Sequence, residues 1–157
     1  MFEMLKDIAA LSEKLDDSVS YAIEELTFLS AESAVDLVKV PENLEKCLTG
    51  SISIETVSAV YTMELLAERD FLGSIYTDIM VPGTDSEKKK DMDIDIVLEL
   101  LNTITGNFMR KTEMLIGPFT IGIPKCEPGN LINANAFIIK KYLVDDKNLV
   151  IVAITKV

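Results

Sequence analysis

A glutamate and a carboxamide three residues apart, with a glycine four residues further on, lie within "DIVLELLNTITGNFM", residues 95–109. The chain has no histidine. A Ser-His-Asp triad, a Cys-His pair and a histidine-based zinc site are therefore all excluded. Any chemistry must rest on carboxylates, amides, hydroxyls, lysines or a metal held by oxygen. Asp95, Glu99 and Asn102 place two of those groups, carboxylate and amide, on one short segment.

The segment reads as a helix from about Met92 to Met114. With about 100° per residue, Val97, Leu98, Leu101, Ile104, Thr105 and Phe108 share one direction, the expected core face. Asp95, Glu99, Asn102 and Gly106 follow the spacing i, i+4, i+7, i+11 and form a line roughly 130° around from that face. Such a line is ordinarily the wet side of an amphipathic helix. Two of its members fit that reading poorly. Asn is a mediocre helix former, and Gly106 costs about 1 kcal/mol of helix stability relative to Ala. The glycine either packs against a neighbouring strand or admits something large.

The bulk numbers limit the partners. A chain of 157 residues is expected to form one domain, 1–157, with a buried core. Hydrophobic content of 48% and charged content of 26% are those of a globular protein. A net charge of −11 argues against nucleic acid and against anionic lipid. The basic run Lys88–Lys90 stands beside acids in "TDSEKKKDMD" and reads as an exposed loop. No apolar run approaches the roughly 20 residues of a membrane span. The charged N-terminal stretch "MFEMLKDIAALSEKL" is no secretory signal. The expectation is a cytoplasmic protein with Cys47 and Cys126 reduced, although a disulfide between them stays open.

Other motifs are weaker. Asp91, Asp93 and Asp95 hint at a calcium loop, but Ile96 and Asn102 stand where an EF-hand needs Gly and Glu. "PGTDSEKKK" lacks the Gly-Lys-Ser/Thr of a phosphate loop. Met63, Met80, Met92, Met109 and Met114 read as core filler.

The elements around the segment follow from periodicity. Residues 2–15 place Phe2, Leu5, Ile8 and Leu15 near one stripe, and "DDS" at 16–18 can cap a new helix. One helix and two helices both fit. Pro41 closes that region. Alternation through Ile52, Ile54 and then Val57, Ala59, Tyr61 and Met63 predicts two strands, with no Gly or Pro near Thr56 to mark the break. Phe71, Ile75 and Ile79 return to helical spacing, stopped by Pro82 and Gly83. After the long helix come a short strand and a hairpin, "ANAFIIKKYLV" and "LVIVAITKV", turning at "DDKN". The last strand is apolar on both faces and should be deeply buried or paired at an interface. The order predicts an α+β fold, an antiparallel sheet covered by long helices on one face.

The residues Asp95, Glu99 and Asn102, with Pro124 some twenty residues on, resemble the signature of the CheC/CheX/FliY phosphatases of bacterial chemotaxis. "N-T-I-T-G-N" after the glutamate looks like the CheX branch, as do the length and order of elements. The resemblance implies a CheC-like fold with an internal pseudo-duplication, of which "S20-Y-A-I-E24-E-L-T27" would be a decayed copy. It implies hydrolysis of the aspartyl phosphate on a CheY-like receiver. Asn102 would hold the attacking water, and Glu99 would dock the receiver's lysine. Asp95 and Gly106 would support docking. No cofactor of its own is implied, Mg2+ being supplied by the receiver. It further implies a homodimer joined by strand pairing, for which "LVIVAITKV" is suited. A catalytically inactive dimeric module that binds receivers or other chemotaxis proteins is the alternative. Residues 1–16 form a helical extension without an assigned role.

Overall fold

A computed structural model describes residues 2–33, 46–76, 86–128, 132 and 135–157, with the side chains of 2–6 and 86 outside that description. Three helices and seven strands are present among these residues: α1 Phe2–Thr27, β1 Ala31–Ser33, β2 Cys47–Thr56, β3 Val60–Glu68, α2 Arg69–Tyr76, α3 Ser86–Ile116, β4 Phe119–Ile121, β5 Lys125–Pro128, β6 Ile138–Val144 and β7 Asn148–Lys156. The strands form one antiparallel sheet in the order β1-β6-β7-β3-β2-β4, with β5 also on β2. The architecture is α+β, with α1 and α3 packed on one face and on each other.

The order contains a pseudo-twofold. Each long helix precedes a short edge segment and a hairpin. The hairpins β2–β3 and β6–β7 meet at the central β3·β7 pair. Each hairpin then receives the edge segment of the other half, β1 on β6 and β4 with β5 on β2. The halves are thereby interlocked.

α1 is continuous through Asp16–Ser18. Instead of capping a second helix, Ser18 is buried and donates to the Lys14 carbonyl at 2.7 Å. Asp16 is fixed by the Tyr142 hydroxyl at 2.8 Å and by Lys140 Nζ at 3.5 Å. Within the extension expected at 1–16, the described residues 2–16 are the first part of α1, and Ile8 and Leu11 pack on the core.

The β2–β3 turn uses a threonine in place of glycine, and the second strand begins only at Val60, so Val57 and Ala59 belong to the turn and not to the strand. Thr56 Oγ1 accepts from Ala59 N–H at 3.1 Å and donates to the Ala59 carbonyl at 3.0 Å, an ST-type local bond. The β6–β7 turn is the three residues Asp145–Lys147 between the paired Val144 and Asn148. Asp145 at φ 54° and Asp146 at φ 60° lie in the left-handed region, the conformation of a primed turn that matches the sheet's twist, and Lys147 N–H donates to the Val144 carbonyl at 3.3 Å. The region expected to hold one strand after α3 holds two, β4 and β5.

Three expectations need correction. α3 begins at Ser86, so Lys88–Lys90 stand on its first turns and not in a loop; Lys and Glu are good helix formers and Glu87 suits the helix N-terminus. β7 is deeply buried because β3 and β6 pair it on both sides, so it cannot be the strand that joins two copies. Met63 and Met109 are core residues, but Met114 is 97% exposed, since α3 runs past the sheet there. Cys47 and Cys126 are both free. They follow opposite parities along β2, Cys126 opposite Gly50 and Cys47 three residues away, and so face opposite sides of the sheet. Pro41, Ile79, Met80, Pro82 and Gly83 lie outside the described residues.

α3 crosses β2 at Gly50. A Cβ built there would lie 2.8 Å from Val97 Cγ1, 3.2 Å from Leu101 Cδ2 and 3.5 Å from the Lys125 carbonyl. The absent side chain is what lets the helix seat, since valine has little rotamer freedom to yield. Gly50→Ala is expected to overpack this contact and cost about 1–3 kcal/mol of stability, read as a lower urea midpoint. An unchanged midpoint would show that the contact is slack.

Candidate functional site

Seating α3 by Val97 and Leu101 decides which residues it presents outward. Val97, Leu100, Leu101, Ile104, Thr105 and Phe108 are buried against the sheet and α1. Thr105 Oγ1 donates to Met63 Sδ at 3.3 Å, and Thr112 Oγ1 donates to the Phe108 carbonyl at 2.9 Å. The polar residues of the inner face are therefore satisfied within the helix or the core. Asp95, Glu99 and Asn102 are all exposed on the opposite side. Asp95, Glu99, Asn102 and Gly106 stand on one described helix, the first three exposed and Gly106 half-buried.

Gly106 is informative. A Cβ added there would meet nothing within 4 Å. Packing against a neighbouring strand is thus not its reason, unlike that of Gly50. It leaves a flat patch beside Asn102, one helical turn on.

Pro124 stands in the link between β4 and β5. Ile54 pairs with Ile121 and Ser51 with Lys125. Two residues of β2 therefore face three on the edge, a β-bulge. Gly122 N–H donates to the Ser53 carbonyl at 2.8 Å and holds the bulge to the sheet. Because the Lys125 carbonyl reaches the same point as Val97 and Leu101, the bulge flanks the stretch of α3 that carries Glu99 and Asn102.

Asp91, Asp93 and Asp95 do not converge. Asp93 is 6% exposed. Its Oδ1 accepts from the Tyr76 hydroxyl at 2.5 Å, and its Oδ2 lies 3.8 Å from Arg69. Burial raises the Asp93 pKa, while the Tyr76 hydrogen bond and the Arg69 charge oppose that rise. Burial, and then the carboxylate beside it, push Tyr76 up to about 12. This cluster ties α2 to α3 through Asp93, two residues before the ridge begins at Asp95. Among the described residues no group of three or more His, Cys, Asp or Glu side chains is placed to hold a metal. The only trace of the cluster in the amino-acid pattern is an aspartate at i−4 from Val97, on the core side of the helix.

The echo on α1 is differently employed. Ser20 donates to the Ala31 carbonyl at 3.2 Å. Thr27 donates to the Ile23 carbonyl at 2.6 Å and accepts from Leu29 N–H at 3.1 Å. Phe28 follows at φ 61°, so Thr27 serves the helix C-terminus. Arg110, which the sequence reading passed over, extends the ridge on α3 by one more turn. The same spacing, continued to i+15 from Asp95, would have found it.

Among the described residues no helix is long and apolar enough to cross a membrane. No family model matches the chain, and no curated protein matches it. Solved structures do. The chain is similar to the chemotaxis protein CheX from Vibrio vulnificus at 16% identity, with a TM-score of 0.71 over 94% of this chain and 99% of that one. It is similar to a CheX–CheY–BeF3–Mg2+ complex from Borrelia burgdorferi at 17% identity, with a TM-score of 0.70 over 92% and 96%. FliY from Thermotoga maritima matches at 13% identity, with a TM-score of 0.56 over 96% and 87%. The fold is the CheC-like fold of these proteins.

The buried carboxyl gives a pH test. A raised Asp93 pKa means that the folded chain binds this proton more tightly than the unfolded chain. Its contribution is therefore fully present below the ordinary carboxylate range, near pH 4, and is lost as pH rises through the raised pKa. Asp93→Asn is expected to remove that slope. Urea midpoints of both proteins across pH should show the wild type losing ground to the variant on going up from about pH 4. A constant difference would mean that Asp93 is not perturbed.

Proposed function

We propose that a chain with this CheC-like fold acts as a phosphatase on a CheY-like receiver, using the α3 ridge. One observation carries the reading: Glu99 and Asn102 project one turn apart from a helix whose opposite face is anchored in the core, and both are exposed. The neighbour from Borrelia burgdorferi was solved with CheY, BeF3 and Mg2+, which supports a receiver as the partner.

Phosphoryl transfer passes through a loose transition state, so catalysis is chiefly positioning and electrostatics. The receiver brings the phosphorylated aspartate and its Mg2+. The chain brings a water held in line with the breaking P–O bond. A carboxamide suits that task because it both donates and accepts hydrogen bonds and carries no charge to repel phosphate. Asn102 performs it in this reading. Ordering a nucleophile in this way is worth up to about 7–11 kcal/mol of barrier. Glu99 is not the base, because a carboxylate beside phosphate meets like charge. It pairs with the receiver's lysine and thereby sets where Asn102 lands. Asp95 supports docking from the preceding turn. Gly106 leaves room for the receiver's loops, which gives its helix cost of about 1 kcal/mol a purpose outside the chain.

A second copy is the other partner in this reading. Sedimentation is expected to give a homodimer. A stable monomer at micromolar concentration would refute it.

The catalytic assignment is tested with a chemically phosphorylated receiver and continuous detection of phosphate. Asn102→Ala should bring release down to the receiver's own rate while stability stays within about 0.5 kcal/mol, as for an exposed site. Retained acceleration would remove Asn102 from the mechanism. Glu99→Ala should act mainly on affinity; an unaltered dissociation constant would deny its pairing with the receiver's lysine.

A further inference from the structure

Arg110 is the next residue on the ridge. Asp95, Glu99, Asn102, Gly106 and Arg110 occupy positions i, i+4, i+7, i+11 and i+15 of one continuous helix. Arg110 is exposed, and its Nε donates to the Gly106 carbonyl at 3.3 Å. That bond pins one edge of the guanidinium and leaves the two terminal nitrogens toward solvent. Among the described residues no carboxylate pairs with it. Arg69, the chain's other arginine, is paired with Asp93. On a chain of net charge −11, a fixed and unpaired guanidinium in line with two exposed acids gives the ridge a charge polarity. Its acidic end lies at Asp95 and Glu99, and its basic end lies about 16 Å beyond Glu99, at about 1.5 Å per residue.

We infer that Arg110 is a docking and orienting residue, which grips a carboxylate on the receiver's contact face. The inference rests on the proposed receiver reading of the Glu99–Asn102 site and deepens it. A guanidinium presents a planar fork that matches a carboxylate through two parallel hydrogen bonds, and less is lost when the fork is already oriented. Two unlike contacts at the ends of a ridge admit only one orientation of the partner. The lysine meets Glu99, the carboxylate meets Arg110, and Asn102 between them falls over the phosphoryl group. A partner turned end for end would set acid against acid and base against base, which complementary interfaces exclude.

Lys111 supplies the control. It is the adjacent residue, its Nζ lies 4.0 Å from Asp17 on α1, and it stands about 100° around the helix from Arg110. Lys111→Glu makes the same change in net charge without touching the ridge. The measurement is the dissociation constant for a CheY-like receiver of the same cell, loaded with Mg2+ and beryllofluoride, so that it does not depend on turnover. Arg110→Glu is expected to weaken binding about tenfold, a loss of about 1.4 kcal/mol. Arg110→Lys should fall between wild type and Arg110→Glu, because the charge remains and the fork is lost. Lys111→Glu should stay within about twofold of wild type. Arg110→Glu within that same margin would overturn the inference, as would a Lys111→Glu variant equally weakened, since net charge alone would then explain the loss. Equal urea midpoints confirm that each variant is folded. Phosphate release by Asn102→Ala tests the catalytic reading separately, so failure of one is distinguishable from failure of the other.

Discussion

The contact on which the rest depends is the seat of α3 on β2. At Gly50 the sheet offers a gap instead of a side chain, and Val97 and Leu101 fill it. The helix is held close to the sheet at that point, and its rotation about its own axis is fixed by which residues enter the gap. Glu99 and Asn102 then project outward because the residues around them in the spiral project inward. A helix with one well-anchored face can display isolated polar groups without their own packing. The exposed groups contribute little to stability, so the ridge is free to hold residues chosen for another purpose.

The scaffold reinforces that seat from both ends. Toward the N-terminus of α3, the Asp93 carboxylate takes the Tyr76 hydroxyl and faces Arg69, which binds α2 to α3 through a cluster of low solvent access. Breaking one partner of such a cluster leaves an unsatisfied buried group, which is why a polar tie can fix geometry even where its net stabilisation is small. Toward the C-terminus of α3, α1 lies alongside it, with Lys111 paired to Asp17. The exchange of edge segments between the two halves means that neither half is complete alone. β1 finishes the hairpin of the second half, and β4 and β5 finish that of the first.

The two long helices illustrate how one architecture yields two different surfaces. Both carry a hydroxyl or acid, a glutamate and a third polar residue at the same spacing. On α1 the first and third are consumed locally, Ser20 on the Ala31 carbonyl and Thr27 on the end of its own helix. On α3 the helix continues for four more turns beyond Asn102, so no terminus demands that side chain. Helix length, not only residue type, separates a spent position from an available one.

The α3 ridge was legible in the sequence because helical periodicity is set by backbone geometry and residues at i, i+4 and i+7 must share a line. The hairpin at Asp145–Asp146 and the two strands through Ile52 and Met63 were legible for the same local reason. The Thr56 turn was not, because a side-chain hydrogen bond replaced the usual glycine. The buried tie at Asp93 was not, because an aspartate among Asp91 and Asp95 looks solvated until α2 is folded over it. Sequence determined which residues share a face of α3, since that follows from rotation per residue alone. Only the tertiary structure decided that this face meets solvent, that Gly106 has nothing above it while Gly50 has a helix, and that β7 lies at the centre of the sheet and not at an edge. Those outcomes depend on contacts between segments far apart in the chain, which local periodicity does not encode.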